Sequence, residues 1–298
     1  MTTISGSYNL FDRKLLLRIT TLDNQVYELD QRIRIVYEVK KVLRAEPDPG
    51  LIEIYNLSPE LRKALTKPFN PKKTPGAKVE LFVGYAGEGV VSQIYSGEIQ
   101  EGIPRWEPPN YRMILRCGVD YHKFLNEVQS KAFAPGTDPI NAIKSLLDPS
   151  GRKVSIAKAL INKIRKKFVN GRSFVDNIKN IFSELSKEFD LSITSTGQDA
   201  SIQVTELGYP NDDTPVLLNE ESGLIGSPEI THTGVNVRAL QNPRIRPGTL
   251  IDLESRNTAE YGRNFTSQTV THSGDTFGDA NYTDIQALFF PPRFAEAS

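Results

Sequence analysis

At 298 residues the chain is long enough for two modest units, or one with an insertion, each burying a core of its own. Its 36 Lys plus Arg balance 36 Asp plus Glu, which excludes an overall field that would recruit nucleic acid or an acidic surface, so any electrostatic partner must be met locally. One cysteine excludes an intrachain disulfide, and with three scattered histidines it argues against a structural zinc cluster; no apolar run approaches membrane-spanning length.

The N-terminus, "MTTISGSYNLFDRKLLLRIT", lacks a basic region followed by a long apolar core, so the chain is expected to be soluble and made in the cytoplasm. The first third then alternates with period two. In "RIRIVYEVK" (Arg32–Lys40), Ile33, Ile35, Tyr37 and Val39 share one face and charged residues most of the other, the mark of a half-buried strand. The pattern returns in "GLIEIYNL", "AKVELFVGY", "QIYSGEIQ" and "NYRMILRCGVDY", where Tyr111, Met113, Leu115, Cys117 and Val119 line one side. Cys117 is therefore expected to be a buried, inert thiol, because burial raises a thiol's pKa and no histidine is placed to activate it. Between these strands "LSPELRKAL" reads as a short helix, with Ser58 as cap, Pro59 at the first helical position and Pro68 as its stop.

After about Tyr121 helical spacing takes over. "TDPINAIKSLLDP" has Asp138 as cap, Pro139 at the first position and Ile140, Ile143, Leu146 and Leu147 as its apolar stripe. "GRSFVDNIKNIFSELSKEFD" predicts a longer helix, with Ser173 and Asp176 at capping-box spacing and Phe174, Ile178, Ile181, Phe182, Leu185 and Phe189 recurring at helical intervals. Between them, "GRKVSIAKALINKIRKKFVNGR" (151–172) carries eight basic residues and no acidic one. Ile156, Leu160, Ile164 and Phe168 recur there every four positions, which predicts an amphipathic helix with a basic outer face. That face is either merely solvated or a docking surface for an acidic partner or nucleic acid, with Arg165, Lys166 and Lys167 as the candidate contact residues. "LSITSTGQDASIQV" follows as a hairpin turning near Gly197.

From about Leu218 the period-two pattern resumes, with strands around Val235–Leu240 and Leu250–Glu254 and a type II turn at Arg246–Thr249. "NFTSQTVTHSGD" and "NYTDIQALFF" make a last hairpin. The layout is a β region, an α-containing insert and a second β region, with boundaries at 1–121, 122–217 and 218–298.

Chemistry is sought first in "VTHSGDTFGDANYTDIQ" (Val270–Gln286), which gathers His272, Asp275, Thr276, Asp279 and Asp284. Its sibling is "THTG" around His232; each histidine follows an aliphatic two residues earlier and is expected at a strand end beside a glycine. Two such histidines with Asp275 or Asp279 would supply a metal site, whereas the plainer reading has Thr, His and Asp satisfying loose backbone groups at turns. The aspartates miss the spacing of a calcium loop. "GYAGEG" (84–89) lacks the spacing of a nucleotide loop and reads as a hairpin turn, and Glu220–Glu221 and Asp212–Asp213 lie in polar loops. With no nucleophile elbow, zinc helix or phosphate-loop lysine, no catalytic residue, cofactor or metal is assigned and an enzyme is not expected.

"LIEIYNLSPELRKAL" followed by "VELFVGYAGEGVVSQIYSGEIQ" resembles the first barrel of bacteriophage tail baseplate hub proteins, a family that includes the late control protein D type. "GLIGSPEITHTGVNVRALQNPRIRPGTLIDLES" with "VTHSGDTFGDANYTDIQ" resembles their second barrel and its closing hairpin, with Asn281 where the family leads us to expect an aromatic.

The resemblance implies a mainly β chain with two tail-tube-like barrels flanking a small α+β domain. It further implies a structural hub that trimerises into a ring, joining a hexameric tail tube to a trimeric central spike. The implied partners are the tube, spike and baseplate wedge proteins and the tape measure protein, with DNA only in transit and no membrane; the place is the virion, after assembly in the host cytoplasm. The rival readings are a hub-associated cell-wall hydrolase using His272 and Asp275, and a nucleic-acid-binding module using the segment 151–172.

Overall fold

The structure is a computed structural model that describes residues 10, 12–43, 48–68, 76–88, 90–118, 128–148, 154–156, 160, 167–195, 202–206, 208–211, 214–255 and 263–290. The first β region supplies β1 (Arg13–Thr20), β2 (Val26–Asp30), β3 (Ile35–Val42), β4 (Pro49–Tyr55), β5 (Lys78–Tyr85), β6 (Val90–Glu107) and β7 (Asn110–Gly118). Period-two alternation places Ile35, Tyr37 and Val39 of β3, and Met113, Leu115 and Cys117 of β7, in one buried cluster. The helix α1 (Pro59–Leu65) forms as its sequence predicts: the Ser58 hydroxyl accepts from the Leu61 amide, Pro59 leads, and Leu61 and Leu65 face inward. A cap of this kind contributes about 1 kcal/mol. The expected turn after Tyr85 is a single 3-10 turn over Ala86–Glu88.

The middle holds β8 (Val128–Phe133), α2 (Pro139–Leu147), β9 (Val154–Ile156), β10 (Arg172–Asn177), α3 (Ile178–Phe189), β11 (Leu191–Ser195) and β12 (Ile202–Glu206) around a second cluster of buried side chains. Asp138 caps α2, with Pro139 at its start, and β11 and β12 form the expected hairpin. Two expectations fail here. The long helix does not begin at a Ser173–Asp176 capping box: Arg172–Asn177 is a strand paired antiparallel with β8, and the helix starts only at Ile178, capped by the Asn177 side chain on the Asn180 amide. The competing force is pairing, since a strand here buries Phe174 against Phe133 and Phe168. Nor is 151–172 one continuous helix. Val154–Ile156 pairs parallel with β12, and Lys167–Asn170 is non-helical.

The last region gives β13 (Val216–Leu218), β14 (Leu224–Ile230), β15 (Gly234–Leu240), β16 (Leu250–Leu253), β17 (Asn264–Asp275) and β18 (Asn281–Phe289), over a third buried cluster. The turn at Arg246–Thr249 is present, with Thr249 N bonded to Arg246 O at 3.0 Å and Gly248 at φ +83° as a type II turn requires.

The strands of both β regions belong to one 13-stranded sheet, whose main path runs β14-β15-β18-β17-β3-β4-β7-β6-β5-β1-β2. Where two closed barrels were expected, the described pairings give one open sheet, because β17 of the last region pairs antiparallel with β3 of the first from Thr269↔Val42 to Asp275↔Val36.

Candidate assembly site

The β3–β17 seam is where the two regions meet, and the hairpin that began as a metal candidate is what builds it. Val39 lies opposite His272, Glu38 opposite Ser273 and Tyr37 opposite Gly274. Gly274 leaves room for its neighbour, since a Cβ there would sit 2.6 Å from the Tyr37 ring. The turn after β17 clamps the other chain end. Thr276 Oγ1 donates to Ile33 O at 2.8 Å and accepts from Ile35 N at 2.9 Å, while Arg34 holds both Asp275 oxygens at 3.3 and 2.9 Å. Partial burial pushes the Asp275 carboxyl up, but the Arg34 guanidinium and the Phe277 and Gly278 amides outweigh it and hold the pKa below the usual carboxylate range.

Behind the seam lies a buried polar cluster. His272 is 1% exposed, inside β17 and not at a strand end as expected. Its Nδ1 lies 2.9 Å from Gln241 Nε2 and 3.1 Å from Thr283 Oγ1; the amide donates to Nδ1, which assigns the proton to Nε2, facing the Ile245 carbonyl. Burial, with the Lys41 charge nearby, pushes the imidazole down to about 3, so it is neutral at physiological pH. Lys41 is buried too and pushed down to about 8, and Asp48 is pushed up to about 7, burial being the first cause in each. Asn281, at the position expected to be aromatic, is buried between the hydroxyls of Tyr37 and Tyr85, at 3.4 Å from each.

The metal candidates do not converge. His232 is exposed in the turn between β14 and β15, and its neighbour Gly234 pairs with Leu288, five positions along β18 from the Thr283 that faces His272, or roughly 17 Å of strand. Asp284 is engaged by Arg238 at 2.6 and 3.0 Å, and Asp279, Glu220 and Glu221 are exposed. Among the described residues no group of three or more His, Cys, Asp or Glu could hold a metal ion. Cys117 is buried and its thiol is pushed up to about 12 by burial, as expected of an inert core residue. Of the basic segment, Arg165 and Lys166 lie outside the described residues, as do Asp212, Asp213 and Gly89; Lys167 is exposed. Arg172 is not a free cation: it pairs with Glu184 and Glu188 on α3. A groove of about 440 Å³ across β14, β15, β17, β18 and the end of β3 is lined by Lys40, Glu229, Arg238 and Asp284, charges of both signs.

What sequence reasoning missed is a repeat in the pairing itself. The blocks β3-β4-β7-β6-β5 and β14-β15-β18-β17-β16 have the same strand order and the same antiparallel sense. Both carry a bulge at the same place, between Ile99 and Glu101 of β6 and between Ser267 and Thr269 of β17. Superposing the bulges lays Glu101–Glu107 on Thr269–Asp275, and Tyr111 on Asn281. The link is checked by an independent bond, since Asn56 N donates to Tyr111 O at 2.8 Å and Gln241 N to Asn281 O at 2.9 Å. The signal in sequence was the shared glutamine of the two bulges, Gln100 and Gln268. Position by position, the stretch of β17 that receives β3 corresponds to a stretch of β6 whose outer side carries, among the described residues, only the Lys67↔Gly102 bridge.

Among the described residues the duplicated sheet block is joined to its twin by the β3–β17 pairing, and the strand path ends on β14 and β2. The comparisons make this architecture particular. The baseplate hub gp41 family matches residues 16–268, and the chain belongs to that family of phage tail baseplate structural proteins. The fold is shared with the 43 kDa tail protein of prophage MuSo2 from Shewanella oneidensis, at TM-score 0.63 and 9% identity over 93% of this chain and 98% of that one. It is shared as well with a tail protein from Neisseria meningitidis MC58, at 0.62 and 10% over 94% and 97%. A third likeness is the E. coli c3393 protein, a type VI secretion component described as similar to T4 tail proteins gp27 and gp5, at 0.60 and 11% over 94% and 77%. No curated protein matches the sequence.

Proposed function

We propose that the chain is the symmetry adaptor of the baseplate, a homotrimer whose two like blocks per copy make a ring of six. The observation that carries this is the duplicated block within a family of baseplate hubs: two similar units per chain, taken three times, match a hexameric tube on one side while the chain itself repeats with the threefold of a spike. The blocks correspond in this reading to two tail-tube-like units in 1–121 and 218–298, with the unit 122–217 on the outside. Tail tube and central spike proteins are the axial partners, wedge and tape measure proteins the further neighbours, and DNA passes only through the lumen. The protein assembles in the host cytoplasm and resides in the virion.

The basic segment faces outward and contacts another baseplate protein, since a ring wall lined by so many cations would hold DNA in transit. Reversing Arg165, Lys166 and Lys167 should leave the fold intact and impair particle assembly; normal particles would count against that docking role. For the hub itself, removal of the chain should abolish tails with an organised tip. Intact tails without it would contradict the reading.

A further inference from the structure

The seam inside the chain shows what an unfilled edge of this block accepts. In the second block, β17 receives β3 along Thr269–Asp275. In the first block the corresponding residues Glu101–Glu107 meet on that side, among the described residues, only the Lys67↔Gly102 bridge, and Pro104–Glu107 are all exposed. The strand that corresponds to β3 is β14, since Glu38↔Leu51 and Val39↔Gly50 are matched by Glu229↔Asn236 and Ile230↔Val235, and β14 is an end strand of the sheet. Among the described residues, one block thus leaves Ile103–Glu107 without a strand partner on that side and the other ends in the element that fits it.

We infer that a second copy of this chain docks its β14, around Glu229 and Ile230, on the β6 edge of the first copy at Ile103–Glu107, repeating between copies the β3–β17 seam found within one. Transposing the register puts Ile230 opposite Pro104 and Glu229 opposite Arg105, as Val39 lies opposite His272 and Glu38 opposite Ser273. The charges complement each other, and no described carboxylate pairs with Arg105. Trp106, which stands where the filled seam has Gly274, is 55% exposed beside Tyr111, with ring centroids 4.3 Å apart, and Arg62 lies 3.9 Å over the Tyr111 ring. Exposed Trp106, Tyr111 and Arg105, with the half-buried Arg62 beside them, are the composition of a contact centre.

Pro104 and Pro228 offer no amide, and Gly102 is already bonded to Lys67, so side chains carry this contact more than ladder hydrogen bonds do. Such edges are protected against indiscriminate pairing and select a partner by fit and charge. The number of copies rests on the hub reading; the contact does not.

The test is a cysteine pair. Residues opposite each other in a non-hydrogen-bonded antiparallel pair have Cα atoms about 4.5 Å apart, within disulfide reach. The full chain with Arg105→Cys and Glu229→Cys, concentrated under mild oxidation, should give covalent multimers, while Arg105→Cys with Ile230→Cys, one residue out of register, should give at least tenfold fewer. Cys117 is buried and does not interfere. Arg105→Glu should weaken self-association and Arg105→Glu with Glu229→Arg should restore it. Equal cross-linking of both pairs, or none, overturns the contact. Covalent rings of two or six copies would instead keep the contact and remove the trimer.

Discussion

The two blocks have one pairing scheme and different interiors. At equivalent places the first has buried Met113 and Leu115 beside an exposed Tyr111, and the second has buried Asn281, Thr283 and Ile285, with His272 and Gln241 beside them. The difference follows from what each edge must hold. In the second block another strand of the same chain brings Tyr37 and Lys41 over the face, so a glycine makes room for a ring and polar groups answer buried polar groups. In the first block the described residues put only the Lys67↔Gly102 bridge on that edge, and an exposed tryptophan stands where the glycine would be. A filled seam selects small and polar residues, and an open one keeps its aromatic for a partner.

If the seam makes the blocks one cooperative body, damage in one must be felt in the other. Ile285→Ala, at a position 1% exposed, should cost about 2–5 kcal/mol, and Leu115→Ala in the first block a similar amount. The sole tryptophan, Trp106, reports from the first block. Its fluorescence transition in denaturant should shift with Ile285→Ala; an unmoved midpoint would mean the blocks unfold independently. A smaller effect comes from exchanging the two equivalent positions. Gly274→Val should overpack the Tyr37 ring and cost about 1–3 kcal/mol, while Trp106→Gly should leave the melting temperature of the free chain nearly unchanged. A tolerated valine would show that Tyr37 can move aside.

The polar interior also gives a pH signature. His272 has a folded pKa pushed down to about 3 from an ordinary 6.5, so below 6.5 the unfolded chain binds the proton and the folded chain does not. Its contribution is whole above 6.5 and is lost as pH falls towards 3, by up to about 1.4 kcal/mol per pH unit. Asp48, pushed up to about 7, works the other way, because its folded form takes the proton first and gains stability as pH falls from about 7 towards 3.8. Comparing denaturant midpoints of the wild type and His272→Gln between pH 7 and 4 isolates the histidine: the variant should lose less stability over that range. Parallel curves would place the ring in contact with water. The smallest effect belongs to the clamp at the seam's end. Arg34→Ala should cost about 0.2–1 kcal/mol in urea unfolding, since the guanidinium side chain is 44% exposed and its pairing with Asp275 is screened; a loss several times larger would make that pair a main tie between the blocks.

Local physics made much of this legible. Alternation located the core face of β3 and β7 and the burial of Cys117, and Ser58–Pro59 and Asp138–Pro139 marked two helix starts. His272 is expected at a strand end because a glycine follows nearby, and it lies instead inside β17 and buried. What stayed hidden was set by partners far along the chain. Arg172–Asn177 has helical spacing and becomes a strand because β8 pairs with it. The seam depends on a fit between Tyr37 and Gly274 that neither segment announces alone. The expected last hairpin is present as β17 and β18, and its pairing with β3 is what no local pattern announces.

The most direct measurement of the hub assignment is a reconstruction of the phage tail tip at a resolution that traces this chain. A symmetry adaptor requires three copies around the axis, with the blocks β3-β4-β7-β6-β5 and β14-β15-β18-β17-β16 alternating as six like units beneath the tube. Any other copy number, or a position off the axis, would contradict it.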